Sequence, residues 1–418
     1  MGSSQSERRV VVTGYGAISS LGRDSTEIWD AIIDKRVGYA KEPHPDPSVV
    51  AKFFGFIPFQ LDLKRFPKSL LKTLPRFAKL GISAADEAVR MAFGNVAIDD
   101  VYDPFERGVI FGSGWGSLDD TIHHNDEYRA EGLSNPFSNI LAMYSVGTAA
   151  ISIRWNLRGY QNTPVAACAT GSMSIGDAYE IIRQGRAKMM LAGGGESIKG
   201  SFNVWTVDIL GALSKEQDIV EKACCPFSLD RSGFVMSEGA AVLCLEDYET
   251  AKRRGARVLG EIVGYGSYSD ARDWTSPAPD CLGRLKSIEA ACDQARVSGE
   301  DIDYINAHGT STQLNDANET ESLKLAFPQR IGDIPVSSTK SYTGHLIAGA
   351  GAIESIFCLK TIETGTIPAT VHLNNRDPKC DLDYVPNDHR FGRTVDTTLN
   401  VNYGFGGANT ALIFRKAS

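Results

Sequence analysis

Residues 165–176 read VAACATGSMSIG, which sets Cys168 in a run of small residues leading into a patterned helix. Met173, Ile175, Ala178, Ile181 and Ile182 fall mostly on one helical face, and the stretch before Cys168 is apolar and strand-like. The spacing predicts a strand that turns sharply into a helix at this cysteine. Thiolate is the nucleophilic form, and the partial positive charge of a helix N-terminus favours it. Ala166, Ala167, Ala169 and Gly171 leave room for an acyl group to approach. A buried cysteine is more often inert packing, so its reading as a nucleophile rests on what lies downstream.

Working outward, strand-like and helix-like segments alternate. Strands are expected at 8–14, 108–114, 188–194 and 240–245, several with glycine exits, as buried parallel strands have. After Asp247 comes a basic helix, YETAKRRGA, then a strand at 258–263 that opens a second series. That series continues with a helix near 283–297, strands at 304–306 and 335–337, a long helix over 346–364 and paired strands near the C-terminus. Residues 8–255 and 256–418 therefore look like related halves. No Pro/Ser-rich linker separates them, so the expectation is one α/β body with a pseudo-repeat.

With 42% hydrophobic and 22% charged residues over 418 positions, the chain has the composition of a soluble folded enzyme. It has no apolar run of about 18 residues to span a bilayer, and its start, MGSSQSERR, lacks the apolar core of a secretory signal. A cytoplasmic location is expected, and the polar first six residues are set aside from fold reasoning. The eight cysteines form no paired framework and no zinc-finger spacing, so they read as reduced thiols. A net charge of −8 argues against nucleic acid. Against that background, Lys64, Arg65, Lys68, Lys72, Arg76 and Lys79 come without one acidic residue between Leu63 and Leu80. Two readings stand: a solvated helix face, or a dock for an acidic partner.

Three downstream motifs give Cys168 its context. Residues 306–319, NAHGTSTQLNDANE, place His308 after a short apolar strand. Residues 335–354, PVSSTKSYTGHLIAGAGAIE, place Lys340 and His345 on either side of a glycine turn that opens a small-residue helix. Residues 402–409, NYGFGGAN, form a glycine-rich turn around Phe405, where a backbone N–H can point into a cavity as an oxyanion hole requires. His123 and His124 are adjacent, which makes chelation of one ion difficult, and they read as helix surface rather than a metal site.

The ordered set RVVVTGYGAISSLG, ACATG, RSGFVMSEGAA, NAHGTSTQLNDANE, STKSYTGHLIAGAGAIE, NRDPKCDLDYVPN and YGFGGAN resembles the elongating β-ketoacyl-[acyl-carrier-protein] synthases of the thiolase-like superfamily, from Arg9 to about Phe414. The resemblance implies a five-layered αβαβα fold of two similar halves, usually dimeric. Cys168 would take an acyl chain from a carrier-protein thioester, with the backbone N–H groups of Cys168 and Phe405 as oxyanion hole. His308 and His345 would bind the malonyl thioester carbonyl while carbon dioxide leaves, with no metal and no cofactor beyond the carrier's phosphopantetheine. Lys340 would order the site. Glu319 resembles the acidic residue that orders the water and lysine network, and Asp316 reads as a brace for the turn or a surface charge. Thr310 and Thr312 match threonines along the pantetheine arm, and Phe405 matches a mobile gate.

Some positions depart from the family pattern. Trp115, in GSGWGSL, stands where a small or medium aliphatic residue usually gates the acyl pocket; it reads as a pocket-shortening indole or as dimer-core packing. Gly211 replaces a basic residue of the carrier-facing surface, which shifts expected docking toward Lys64, Arg65, Lys68, Lys72 and Arg76. Asn400, Val401 and Asn402 replace a serine-rich pattern near a monovalent-cation site of some relatives. A thiolase would carry a second cysteine in the last glycine turn, and NYGFGGAN has none. An initiating enzyme would pair one histidine with asparagine, and a non-catalytic chain-length subunit would lack the nucleophile. The expected activity is decarboxylative condensation in type II fatty-acid elongation, or the same chemistry in a polyketide, polyene or unusual-lipid pathway, as a homodimer or beside a chain-length subunit.

Overall fold

The computed structural model describes residues 7–417, so the polar first six residues lie outside it. Ten strands form one sheet. In the first half these are β1 (Val10–Ser19), β2 (Arg107–Gly112), β3 (Gln161–Asn162), β4 (Met189–Glu196) and β5 (Gly239–Asp247). In the second they are β6 (Gly260–Ser269), β7 (Tyr304–Asn306), β8 (Val336–Ser337), β9 (Thr397–Gly404) and β10 (Ala408–Arg415). Their spatial order is β8-β7-β9-β10-β6-β1-β5-β4-β2-β3. Adding five to each label of the first half reproduces the second, including which pairs run parallel and which antiparallel. The pseudo-repeat expected from sequence is therefore a repeat of topology.

Helices repeat as well: α1 (Arg76–Phe93), α2 (Val146–Trp155) and α3 (Thr170–Arg183), then α4 (Leu282–Ala295), α5 (Gln313–Ala326) and α6 (Ala350–Thr364). Helices α1 and α2 cover one outer face, and α4 and α5 the other. Between the half-sheets, α3 and α6 touch each other and strands of both halves, completing the αβαβα layering. Strands β4 and β5 are buried throughout, as strands covered on both faces must be. The half-sheets join by antiparallel pairing of Val10, Val11 and Val12 with Ile262, Glu261 and Gly260. A separate small sheet pairs Phe53–Gly55 with Ala40–Lys41 and Met236–Ser237. No helix among the described residues is long and apolar enough to cross a membrane.

The turn at Cys168 differs from expectation. The strand before it is only the two-residue β3, and residues 163–166 run as an irregular link with Val165 exposed, before a 3₁₀ turn at Ala167–Ala169. Proline 164 lacks the N–H a longer strand would donate. The repeat carries a matching turn at Ile347–Gly349, and Ala167 and Ile347 hold positive φ of 46° and 49°. By this correspondence, Ala348 occupies in the second half the place of Cys168 in the first.

The middle helices approach closely because both carry glycine at the contact. A Cβ on Gly171 would stand 2.7 Å from the Ala348 carbonyl oxygen, and one on Gly351 would stand 2.2 Å from Ser172 Oγ. Gly171→Val is therefore expected to lower unfolding free energy by about 1–3 kcal/mol through overpacking. A denaturant midpoint equal to that of the parent would disprove this account of the central contact.

Candidate active site

Cys168, His308 and His345 come from three separate segments, yet Cys168 Sγ and a ring nitrogen of each histidine lie within 4.8 Å of one another. All three are buried and line one cavity of about 320 Å³, whose wall also includes Thr310, Thr312, Phe405 and Gly211. His308 follows β7. His345 is held by backbone bonds to the small sheet, its N–H donating to the Val235 carbonyl (2.7 Å) and its carbonyl accepting from Ser237 N–H (3.0 Å). The two imidazoles meet edge to face at 5.4 Å, and Phe234 lies edge-on to His345 at 5.0 Å.

Hydrogen bonding fixes which nitrogens face the cavity. The Ile347 N–H donates to His345 Nδ1 (3.2 Å), so the neutral ring carries its proton on Nε2, which is buried without a partner. Lys340 Nζ lies 3.3 Å from His308 Nδ1, where an ammonium donates, and 2.6 Å from Glu354 Oε1. Burial holds the pKa of both histidines well below the usual imidazole value, and the Lys340 charge adds to this. Both rings are thus neutral N–H donors at neutral pH. Two such donors can hold the oxygen of an enolate.

The thiol departs from the expectation drawn from its helix. Burial pushes Cys168 up to about 12, although the Lys340 charge and the N–H groups of Phe405 and of Cys168 itself work in the opposite direction. Desolvation outweighs the helix start. Those two amides nevertheless favour charge at the sulfur, as the donors of an oxyanion hole would. Phe405 is half-buried in a turn completed by Gly406 and Gly407 at φ of 85° and 81°, a conformation that favours glycine.

Other expected positions divide. Thr310 and Thr312 line the cavity with their hydroxyls 2.9 Å apart. Trp115 does not line this cavity; it is half-buried in the apolar cluster that holds Cys168, Phe234 and Ile347. Glu319 does not touch Lys340. Instead it accepts the backbone N–H groups of His308 (2.7 Å) and Gly309 (2.8 Å), while Glu354 is the lysine's partner. Asp316 is buried rather than a surface charge; it accepts the Phe227 N–H (2.9 Å) and faces Arg231. Lys64, Arg65, Lys68 and Lys72 are exposed, but Arg76 is committed to the buried Glu238 by two bonds of 2.6 and 2.8 Å. It is a structural cation, not one free for docking.

Sequence reasoning passed over Glu196, which accepts from Ser113 Oγ (2.9 Å) and the N–H groups of Gly114 (2.7 Å) and Trp115 (3.2 Å), and so shapes the loop carrying the indole. It also passed over Arg284 and Tyr403 in the cavity wall. Nothing in their local spacing marks them.

Two family patterns match this chain: the β-ketoacyl synthase N-terminal domain over residues 7–251, and the β-ketoacyl synthase C-terminal domain over 259–374. The chain belongs to the β-ketoacyl synthase family. It is 37% identical to 3-oxoacyl-[acyl-carrier-protein] synthase 2 of Synechocystis sp. and 36% identical to that of Staphylococcus aureus, over 98% of both chains in each case. Among solved structures, a β-ketoacyl synthase from Burkholderia phymatum superposes with a TM-score of 0.90 at 31% identity, covering 98% of this chain and 100% of that one. A ketosynthase in complex with its type II polyketide acyl-carrier protein gives 0.89 at 30% identity, with the same coverage. The family is one of condensing acyltransferases on the thiolase-like fold, and the five layers described above are that fold.

Within this synthase site, Cys168 rests as a thiol whose ionisation Lys340 assists. Its alkylation by iodoacetamide is expected to keep accelerating between about pH 7 and 10 without a plateau, because the thiolate fraction is still rising there. Lys340→Gln removes a lowering charge, so alkylation at a fixed pH should slow about tenfold, one pKa unit. A plateau near pH 8, or an unchanged rate in the variant, would contradict this electrostatic assignment.

Proposed function

We propose that this β-ketoacyl synthase joins an acyl group carried on Cys168 to malonyl-[acyl-carrier protein], releasing carbon dioxide and a β-ketoacyl-[acyl-carrier protein], in type II fatty-acid elongation. The observation that carries the reading is the convergence of one thiol and two neutral imidazoles on a single buried cavity. The full-length likeness to 3-oxoacyl-[acyl-carrier-protein] synthase 2 supports the elongating type.

In the first half-reaction, the Cys168 thiolate adds to the acyl thioester carbonyl, and the N–H groups of Cys168 and Phe405 hold the resulting oxyanion. The tetrahedral centre collapses with loss of the pantetheine thiolate, which takes up the proton the cysteine gave. Malonyl thioester then enters past Thr310 and Thr312, and its carbonyl oxygen accepts N–H bonds from His308 and His345. The bond to the carboxylate breaks, its electron pair passes into the enolate, and carbon dioxide leaves. The enolate carbon attacks acyl-Cys168, forming a carbon–carbon bond while the carbon–sulfur bond breaks and the thiol is restored by a proton. The imidazole donors fill the electrophile's role, so this reading needs no metal and no cofactor beyond the carrier's phosphopantetheine.

On this reading residues 8–255 supply the nucleophile and 256–418 the histidines, with Lys340 and Glu319 as supports. Lys64, Arg65, Lys68 and Lys72 are the exposed cations that would meet an acidic carrier. The protein works in the cytoplasm as a homodimer. Leu133, Phe137, Ile140, Met143 and Ile153 are exposed apolar side chains of the first half that such pairing would cover. Trp115 in the apolar cluster around Cys168 favours a second reading, a specialised ketosynthase with a restricted acyl pocket, paired with a chain-length subunit.

Mass spectrometry of the intact protein with a panel of acyl-carrier proteins, followed by malonyl-carrier addition, tests both readings. Cys168→Ala should abolish the acyl adduct, and condensation persisting in it would refute the mechanism. His345→Ala should retain loading while decarboxylation falls about 10²-fold or more, the loss expected for one oxyanion donor. Trp115→Ala should extend loading toward longer chains. An unchanged chain-length profile would instead assign the indole to packing.

A further inference from the structure

Arg284 stands in the first turn of α4 and has no part in the steps above, yet it lines the cavity while only 4% exposed. Its Nη2 donates to Asn315 Oδ1 (3.0 Å) and its Nη1 to the Asn315 carbonyl (3.4 Å), while its buried Nε has no partner. No carboxylate lies within ion-pair distance of it among the described residues. An unpaired buried guanidinium is costly, which directs attention to what it holds.

Two routes lead from Arg284 to His308. Asn315 Nδ2 donates onward to Glu319 Oε2 (3.3 Å), and Glu319 accepts the backbone N–H groups of His308 and Gly309. The guanidinium also lies 4.0 Å over the Tyr403 ring, which meets the His308 imidazole edge-on at 5.6 Å. We propose that Arg284 is a positioning residue for His308, fixing the turn that carries the imidazole through Asn315 and Glu319 and the plane of the ring through Tyr403. The inference rests on the role given to His308 above.

It has a consequence for pH. The groups facing Glu319 are Arg284 from α4, Asp316 on its own helix α5, His308 with its turn after β7, Tyr403 from β9, and Tyr384 from the segment before β9. Burial pushes Glu319 up to about 7, and Arg284 is the charge that opposes this. The turn needs the carboxylate, since only that form accepts both N–H groups without carrying a competing proton. Decarboxylation should therefore fall as pH drops through about 7, and removing Arg284 should move that acid limb upward.

Arg284→Met and Arg284→Lys are compared with the parent in the full-length protein, following acyl-Cys168 formation and carbon dioxide release separately across pH. The methionine variant is expected to lose about tenfold in carbon dioxide release, the effect of losing hydrogen bonds from a charged group. KM should stay within about twofold while the acid limb rises by about one pH unit. The lysine variant should restore the limb but not the rate, because an ammonium lacks the planar fork that grips Asn315. An unmoved limb, or an equal fall in both half-reactions with a lower unfolding midpoint, would overturn the proposal and leave Arg284 merely structural. If the methionine variant fails to fold, the lysine variant decides, since an unchanged rate there is equally fatal. A parent protein that loads no acyl group on Cys168 would instead overturn the function proposed for the site.

Discussion

The buried ion pair between Lys340 and Glu354 is the contact on which the site depends. Both side chains are 1% exposed, and they meet at 2.6 Å. Glu354 also accepts from Asn402 Nδ2 (2.6 Å), whose Oδ1 accepts from Ser172 Oγ (2.5 Å). One connected set of bonds thus runs from α6 through β9 to α3, the helix that follows the turn of Cys168. Removing one member of such a pair strands a buried charge, typically at a cost of about 3–5 kcal/mol. Burial keeps both imidazoles neutral and the same lysine charge adds to this, while it draws the thiol toward ionisation, so one ammonium acts on three groups.

The duplicated topology explains how those groups reach one point. Each half ends its middle-layer approach in a 3₁₀ turn with one positive-φ residue, and the two turns face each other across the contact of α3 and α6. Only the first carries a cysteine; the second has Ala348 in the matching place. His345 sits just before the second turn and His308 just after β7, so the second half supplies both imidazoles where the first supplies the thiol. Cys168 and the histidines thus hang on different half-sheets, and only the joined pair brings them together.

Much of this was legible in the sequence because it is written locally. Alternating apolar strands and patterned helices disclosed two series, and small residues around Cys168, His308 and His345 marked close backbone approach. What was not legible depends on pairing across long separations. Glu319 resembled the acidic residue that orders the water and lysine network; its helix aims it at the amides of His308 and Gly309, and Glu354 reaches the lysine from one helix further on. Arg76 looked like one more surface cation until Glu238, 162 residues away, claimed it. The thiol's raised pKa was equally hidden, since a helix N-terminus is visible in a sequence while the depth of burial that defeats it is not.

That depth serves the chemistry once substrate is considered. An open, wet cavity would let the Cys168 thiolate form easily, but it would also protonate any carbanion equivalent as soon as it appeared. Burial raises the thiol and lowers the imidazoles by the same physical cause, loss of hydration around charge. The two effects favour a neutral resting site, with charge appearing only when a thioester oxygen or an enolate oxygen arrives opposite donors already aimed at it. His345 Nε2, buried with no protein partner, is the donor such an oxygen would meet.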